Sequence, residues 1–186
     1  MNAPVRKGSR VERAVRPSTP TVHRLLVHVR AKGLDWVPEP LGFDGRTETL
    51  SFIEGDVPHE MPAWIWDENV LCELAKRIRA WHDATADFPP DGAVWDFATG
   101  DAPECCEVVC HNDFAPYNCV FRGRAFAGLI DFDLCAPGSR LWDLSYAAYR
   151  FVPLMPDAPL ADEGETSPFP LSGTLRRLDL FLASYS

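Results

Sequence analysis

Cys110-His111-Asn112-Asp113-Phe114-Ala115-Pro116-Tyr117-Asn118, followed by Leu129-Ile130-Asp131-Phe132-Asp133, is the stretch that decides the fold. It sets out an Asp, an Asn five residues on, and a second Asp thirteen beyond that. Phosphoryl transfer requires these residue types in this order: a carboxylate to orient an attacking hydroxyl and accept its proton, then oxygen ligands for the magnesium that neutralises phosphate charge. Asp113 suits the first task. Asn118 and Asp131 suit the second, because an amide oxygen and a carboxylate are both hard ligands. Between them, the apolar runs Cys119-Val120-Phe121 and Ala125 to Ile130 flank Arg122-Gly123-Arg124, which predicts a tight β-hairpin that returns Asp131 towards Asn118. His111 is assigned to the shape of the catalytic loop. In the plainer reading, Asp113 and Asn118 are turn formers around Pro116, and Asp131 and Asp133 end a strand.

The segment from His111 to Asp143 resembles the aminoglycoside phosphotransferase family, the kinase-like group that includes choline and homoserine kinases. The resemblance rests on His111-Asn112-Asp113 with Asn118, on Ile130-Asp131-Phe132-Asp133, and on Pro137-Gly138-Ser139-Arg140-Leu141-Trp142-Asp143-Leu144. It implies Asp113 as catalytic base, Asn118 and Asp131 as magnesium ligands, and His111, Asp133 and Asp143 as supporting residues, with Asp143 bracing the catalytic loop. It also implies ATP and Mg2+ as cofactors and a small-molecule hydroxyl as acceptor. Asp-Phe-Asp, rather than Asp-Phe-Gly, favours the small-molecule branch over protein kinases. The implied architecture is an α+β, protein kinase-like, two-lobed fold: a reduced N-terminal lobe and hinge over residues 1–55 and a mainly helical catalytic lobe over residues 56–186.

Elementary patterns along the chain agree with this order. Thr19-Pro20 reads as a cap followed by Pro at the first helical position, with Val22, Leu25, Leu26 and Val29 on one face and Gly33 as the stop. Val37 to Phe43 and Thr47 to Ile53 flank Asp44-Gly45-Arg46, a hairpin signal. The second strand breaks at Glu54-Gly55-Asp56, and by resemblance Ser51, Phe52 and Ile53 form the hinge that meets adenine. An ordinary strand end is the alternative there. Asp67 caps a helix whose Val70, Leu71, Leu74, Ile78 and Trp81 share a face, with His82 at its end read as a packed or exposed helix-end histidine rather than a metal or catalytic ligand. Glu107-Val108-Val109-Cys110 is a strand feeding the catalytic loop. Further helices are predicted over Arg140 to Phe151 and Thr174 to Tyr185.

The departures from the family lie mostly near the N-terminus. There is no Gly-x-Gly-x-x-Gly, and the lysines, Lys7, Lys32 and Lys76, do not read as a phosphate-binding strand lysine. Arg16, ending the alternating segment Val11 to Arg16, is the candidate replacement, against the plainer reading of a surface charge. The C-terminal side also looks abbreviated. Two functions are therefore carried: an ATP- and Mg2+-dependent phosphotransferase acting on a hydroxyl of a small polar molecule, and a non-catalytic or weakly active nucleotide-binding remnant of the same fold.

At 186 residues and 46% hydrophobic content the chain can bury a real core as one domain. Its net charge of −9 argues against nonspecific nucleic-acid or anionic-membrane binding. No signal peptide or membrane-spanning run is evident, which predicts a cytoplasmic protein. The six cysteines form no Cys-x-x-Cys pair and are expected as reduced thiols; a zinc site on Cys105, Cys106, Cys110 and His111 is the weaker alternative. The acidic run Asp157 to Glu165 reads as a solvated loop.

Overall fold

A computed structural model describes residues 4–58, 61–98, 103–154 and 169–186. The Asp157 to Glu165 run lies outside them, as do positions 59 and 60 of the connector ahead of Asp67. The chain opens with a four-stranded antiparallel sheet, ordered β1-β2-β4-β3, made of β1 (Val5–Lys7), β2 (Arg10–Ala14), β3 (Pro40–Phe43) and β4 (Thr47–Ser51). Helix α1 (Thr19–Ala31) crosses from β2 to β3. The β1–β2 hairpin was not legible in the sequence. Its first strand is three exposed residues, too short to show alternation, and it turns at Gly8, whose φ of 62° favours glycine.

The β3–β4 hairpin matches its sequence signal. Asp44 Oδ1 accepts from the backbone N–H groups of Arg46 and Thr47, each at 2.7 Å, which fixes the turn. The strand begins at Pro40 rather than Val37. Trp36 and Val37 are instead drawn into the core, where their carbonyls accept from the Leu129 N–H at 3.0 Å and from Arg30 at 2.7 Å. Helix α1 starts one residue earlier than expected, at Thr19 after Ser18, because the Ser18 hydroxyl bonds Asp96 rather than capping the helix.

Beyond Ser51 the chain crosses to its C-terminal half through Gly55. Asp56 and Phe121 exchange two backbone hydrogen bonds, at 2.8 and 2.9 Å, so the segment is stitched to β6 (Cys119–Arg122). A Cβ at Gly55 would lie 2.5 Å from the Phe121 carbonyl oxygen, and its φ is 145°. Only glycine fits this crossing.

Helix α2 (Glu68–Thr85) is the axis of the molecule. Asp67 caps it by accepting from the Asn69 N–H at 2.8 Å. Its apolar stripe, Leu71, Leu74, Ile78 and Trp81, is fully buried. It packs against α1, against α3 (Arg140–Phe151) and, most extensively, against α4 (Leu171–Tyr185). One hydrophobic core therefore runs from Leu25 and Leu26 of α1 through α2 to Phe114, Phe132, Phe151 and Phe181. Helix α4 begins three residues before the expected Thr174. Arg177, buried on α4, donates to the carbonyls of Trp66 and Phe151 and ties that helix to the rest.

Two small sheets complete the C-terminal half. β5 (Val108–Cys110) pairs with β8 (Ala136–Gly138), and β6 pairs with β7 (Ala125–Leu129) as the predicted hairpin. None of the described helices is long and apolar enough to cross a membrane.

Candidate active site

The β6–β7 hairpin converts sequence distance into proximity. Cys119 pairs with Leu129, and the Ile130 N–H donates to the Asn118 carbonyl at 2.9 Å, so Asp131 emerges beside Asn118. Asn118 ends a single 3-10 turn, Pro116–Asn118, and its side-chain amide reaches back to Asp113. Its Nδ2 donates to the Asp113 carboxylate Oδ2 at 2.7 Å and to the Asp113 carbonyl at 2.9 Å. Both amide protons are thereby directed at Asp113, and the amide oxygen faces away from it. The second Asp113 oxygen, Oδ1, accepts from the Tyr117 hydroxyl at 2.6 Å, and that hydroxyl lies 2.7 Å from the Tyr146 hydroxyl of α3. Burial, the bond to Asp113 and the bond to Tyr146 push the Tyr117 phenol far above its ordinary value.

The catalytic loop is held from beneath. Asp143, fully buried on the first turn of α3, accepts the backbone N–H groups of His111 and Asn112, each at 2.9 Å. It also accepts from His82 Nε2 at 3.1 Å. Burial alone would raise the Asp143 carboxyl, but the bonds from His82 and from the His111 N–H hold it below its ordinary value. Because an ionised carboxylate only accepts, His82 Nε2 donates to it, and the other ring nitrogen, Nδ1, lies 2.8 Å from the Tyr185 hydroxyl. His111 is fully buried, and burial lowers its pKa, so the ring is neutral. Its Nε2–H donates to the Ile130 carbonyl at 3.2 Å, and its Nδ1 accepts from the Asp113 N–H at 3.3 Å. Asn112 and Asp131 both adopt positive φ, 66° and 63°. These are the two non-glycine residues so strained among those described, and both belong to this site.

A cleft of about 350 Å3 lies between the sheet and this loop. Tyr117, Asn118, Asp131 and Phe132 line one side, and Val11, Arg13, Leu50, Ser51, Phe52 and Ile53 line the other. The three predicted hinge residues thus share a cleft with Asn118 and Asp131. A larger groove of about 690 Å3 on the outer face, between α1, β3 and Phe88-Pro89, contains none of the motif residues.

The cation in the cleft is Arg13, not Arg16. Arg13, on β2, is the one Lys or Arg lining it among the described residues. Its Nε donates to Glu48 Oε2 at 2.6 Å, its Nη2 to Asp133 Oδ1 at 2.7 Å, and its Nη1 lies 3.7 Å from Asp131 Oδ1. Glu48 on β4 is fully buried and bonds His23 Nε2 of α1 at 3.0 Å. Burial opposes ionisation of Glu48, yet the bond from His23 and the charge of Arg13 hold its pKa below the ordinary value. Arg16 lies outside the cleft lining and binds Asp96 at 2.8 Å and Asp133 at 3.0 Å. Asp133 is therefore engaged by two guanidiniums. Burial nonetheless raises its carboxyl, and Arg13 and Arg16 only partly offset that.

Arg13 sits in the alternating segment noted in the sequence, but no local signal distinguishes it from Arg16. Its partners lie on β4 and beyond β7. No disulfide links the six cysteines, and among the described residues there is no group of three or more His, Cys, Asp or Glu that could hold a metal ion.

Comparison with known proteins bears on the family and the fold. The profile of the APH family, described as a phosphotransferase enzyme family, matches residues 54–181. The trifolitoxin immunity protein of Rhizobium leguminosarum bv. trifolii is 36% identical over 157 residues, covering 82% of this chain. The chain spans 59% of the length of that relative. Similar solved structures include the macrolide 2'-phosphotransferase MphH from Brachybacterium faecium, with a TM-score of 0.62 at 14% identity over 95% of this chain and 68% of that one. They also include the aminoglycoside phosphotransferase APH(3'')-Id from Streptomyces rimosus, in complex with ADP and streptomycin, with a TM-score of 0.62 at 15% identity over 96% and 80%. At such identities the likeness concerns the fold, which is the kinase-like fold of these phosphotransferases with a shortened N-terminal lobe.

Proposed function

Because this chain belongs to the phosphotransferase enzyme family, we propose that it transfers the γ-phosphoryl group of ATP to a hydroxyl of a small polar molecule, with Asp113 as base. One observation supports the reading: Asn118 bonds the Asp113 carboxylate through its side chain and the Ile130 N–H through its carbonyl, which brings Asp113, Asn118 and Asp131 together, and Asn118 and Asp131 share a cleft with Ser51, Phe52 and Ile53.

In this reading Ser51, Phe52 and Ile53 receive the adenine, and Arg13 faces the phosphates. Asn118 and Asp131 are the residues that would hold Mg2+. Their chemistry fits: the Asn118 oxygen is turned away from Asp113, and Asp131 presents a half-exposed carboxylate. Bound magnesium supplies charge neutralisation on the phosphate oxygens. Asp113 orients the acceptor hydroxyl and takes its proton, while Asp143 and His111 keep the loop in place. Arg16 and Asp133 support the site by pairing across it.

The relatives support a small acceptor. One is an immunity protein against trifolitoxin, and solved structures of the fold include a macrolide phosphotransferase and an aminoglycoside phosphotransferase holding streptomycin. Modification of a toxic small molecule is consistent with these. A second reading, a nucleotide-binding remnant, is favoured by one feature: β1 is three exposed residues ending in a Gly8-Ser9 turn, a scant cover for phosphates.

The test is a thermal-shift titration with Mg-ATP, followed by a mass-spectrometric screen for phosphorylated products from a metabolite and antibiotic mixture. Asp113→Asn should keep the nucleotide-dependent shift and lose transfer by about 10²–10⁴-fold. Transfer at the wild-type rate in that variant would overturn the assignment, and binding without any product from either protein would favour the remnant.

A further inference from the structure

Both oxygens of the Asp113 carboxylate are engaged by the protein itself. Oδ2 is bonded by Asn118, whose amide has no freedom to leave, since its Nδ2 is also tied to the Asp113 carbonyl. Oδ1 is bonded by the Tyr117 hydroxyl at 2.6 Å. That contact is of another kind. A hydroxyl donating to one oxygen of the base is the same bond that an acceptor hydroxyl must make before it can be phosphorylated.

The direction of the contact follows from valence. The ionised carboxylate of Asp113 can only accept, so the Tyr117 proton points at Oδ1. The Tyr146 hydroxyl lies 2.7 Å from that of Tyr117 and is itself within hydrogen-bond reach of Asp113. The two phenols therefore stand together over the carboxylate, with Tyr117 donating to Oδ1. The 3-10 turn Pro116–Asn118 places Tyr117 four residues from Asp113 and back over it. The Arg150 guanidinium lies 4.9 Å from the centre of the Tyr117 ring and holds that ring in place. Tyr117 also lines the cleft beside Asn118 and Asp131.

We propose that the Tyr117–Tyr146 pair guards the catalytic base: it holds the Oδ1 position of Asp113 against water until an acceptor hydroxyl displaces the Tyr117 hydroxyl. The proposal rests on the phosphotransferase reading above. The reaction it suppresses is ATP hydrolysis, in which a water oxygen bonds the γ-phosphorus, the bond from that phosphorus to the bridging oxygen of the β-phosphate breaks, the water proton passes to Asp113, and ADP and phosphate leave. Tyr117 acts through Asp113 and is a positioning residue. A water has no further anchor in the cleft with which to displace the phenol, whereas an acceptor bound elsewhere in the cleft displaces it as an intramolecular event.

The test needs no knowledge of the acceptor. Acceptor-free ATP hydrolysis is measured at saturating Mg-ATP for wild type, Tyr117→Phe, Tyr146→Phe and Tyr117→Phe/Asp113→Asn. The guard predicts that Tyr117→Phe hydrolyses ATP roughly tenfold faster than wild type with little change in the KM for ATP, the scale of one hydrogen bond to a charged group. Tyr146→Phe should rise less, and adding Asp113→Asn should erase the increase. A merely structural tyrosine would lower the rate or leave it unchanged when replaced. Hydrolysis by both single variants at or below the wild-type rate, with Mg-ATP still shifting their melting, overturns the guard and leaves the phosphotransferase reading standing. Absence of any Mg-ATP shift in wild type overturns that reading and the guard with it.

Discussion

Arg13 shows how a residue's role can be invisible in its neighbourhood. Its guanidinium spans two carboxylates on different elements, Glu48 at 2.6 Å and Asp133 at 2.7 Å, and still borders the cleft. A planar fork can do this, and an ammonium, with its donors on one nitrogen, cannot. If Arg13 faces the phosphates, Arg13→Lys keeps the charge but loses the aim, and the apparent affinity for Mg-ATP should fall about tenfold, or about 1.4 kcal/mol. Arg13→Met should fall further. Isothermal titration would measure both, and unchanged binding in Arg13→Met would remove Arg13 from the nucleotide site. The convergence of Asp113, Asn118 and Asp131 was legible because a short loop and a tight hairpin bring them together at ordered sequence spacings. Arg13 was not, because what distinguishes it from Arg16 is a cross-sheet partner 35 residues away and an aspartate in the other half of the molecule.

At the scale of elements, amphipathic helices were read with little error. α2 and α3 have apolar faces and side-chain caps, Asp67 and Ser139, that a local pattern can announce. β1 has neither. Its three exposed residues are a strand only because β2 pairs with them. The break after β4 was legible as a Gly-containing interruption, but its tightness was not. Gly55 is pressed against the backbone of β6, a contact fixed by tertiary structure. Gly55→Ala would meet the Phe121 carbonyl and carry an unfavourable φ, and it should cost at least about 2 kcal/mol of stability. Its effect on nucleotide binding should exceed that of Gly123→Ala. Gly123 also has positive φ but meets nothing within 4 Å, so it serves as the control for backbone strain alone. Urea unfolding of the two variants, with and without Mg-ATP, separates the two effects. Equal losses in both would show that the close approach at Gly55 is relaxed at no cost.

Across the whole molecule, the two halves are joined by charge as well as by the core. Arg13 and Arg16 come from the N-terminal sheet and its exit, while Asp131 and Asp133 come from the C-terminal half. The carboxylates involved titrate in opposite senses. Asp143 and Glu48 are fully buried, and their pKa values are held below 3.8 and 4.5 respectively. A depressed carboxyl contributes stability that is present above its unfolded pKa and is lost as pH falls through its folded one. Asp133 is raised above 3.8, so its contribution is present at lower pH and is lost as pH rises through its raised value. Its side chain is 19% exposed, and solvent screens it more than the other two, which show none. The depressed pair therefore dominates, and stability to denaturant should decline as pH is lowered from about 4.5. Asp143→Asn places an amide donor among backbone N–H donors and leaves His82 facing it. The variant should lose about 3–5 kcal/mol at neutral pH and show a shallower acid slope than wild type. Urea midpoints measured from pH 7 down to pH 3 test both statements. A parallel acid slope in the two proteins would show that Asp143 is not the group whose ionisation holds the catalytic loop.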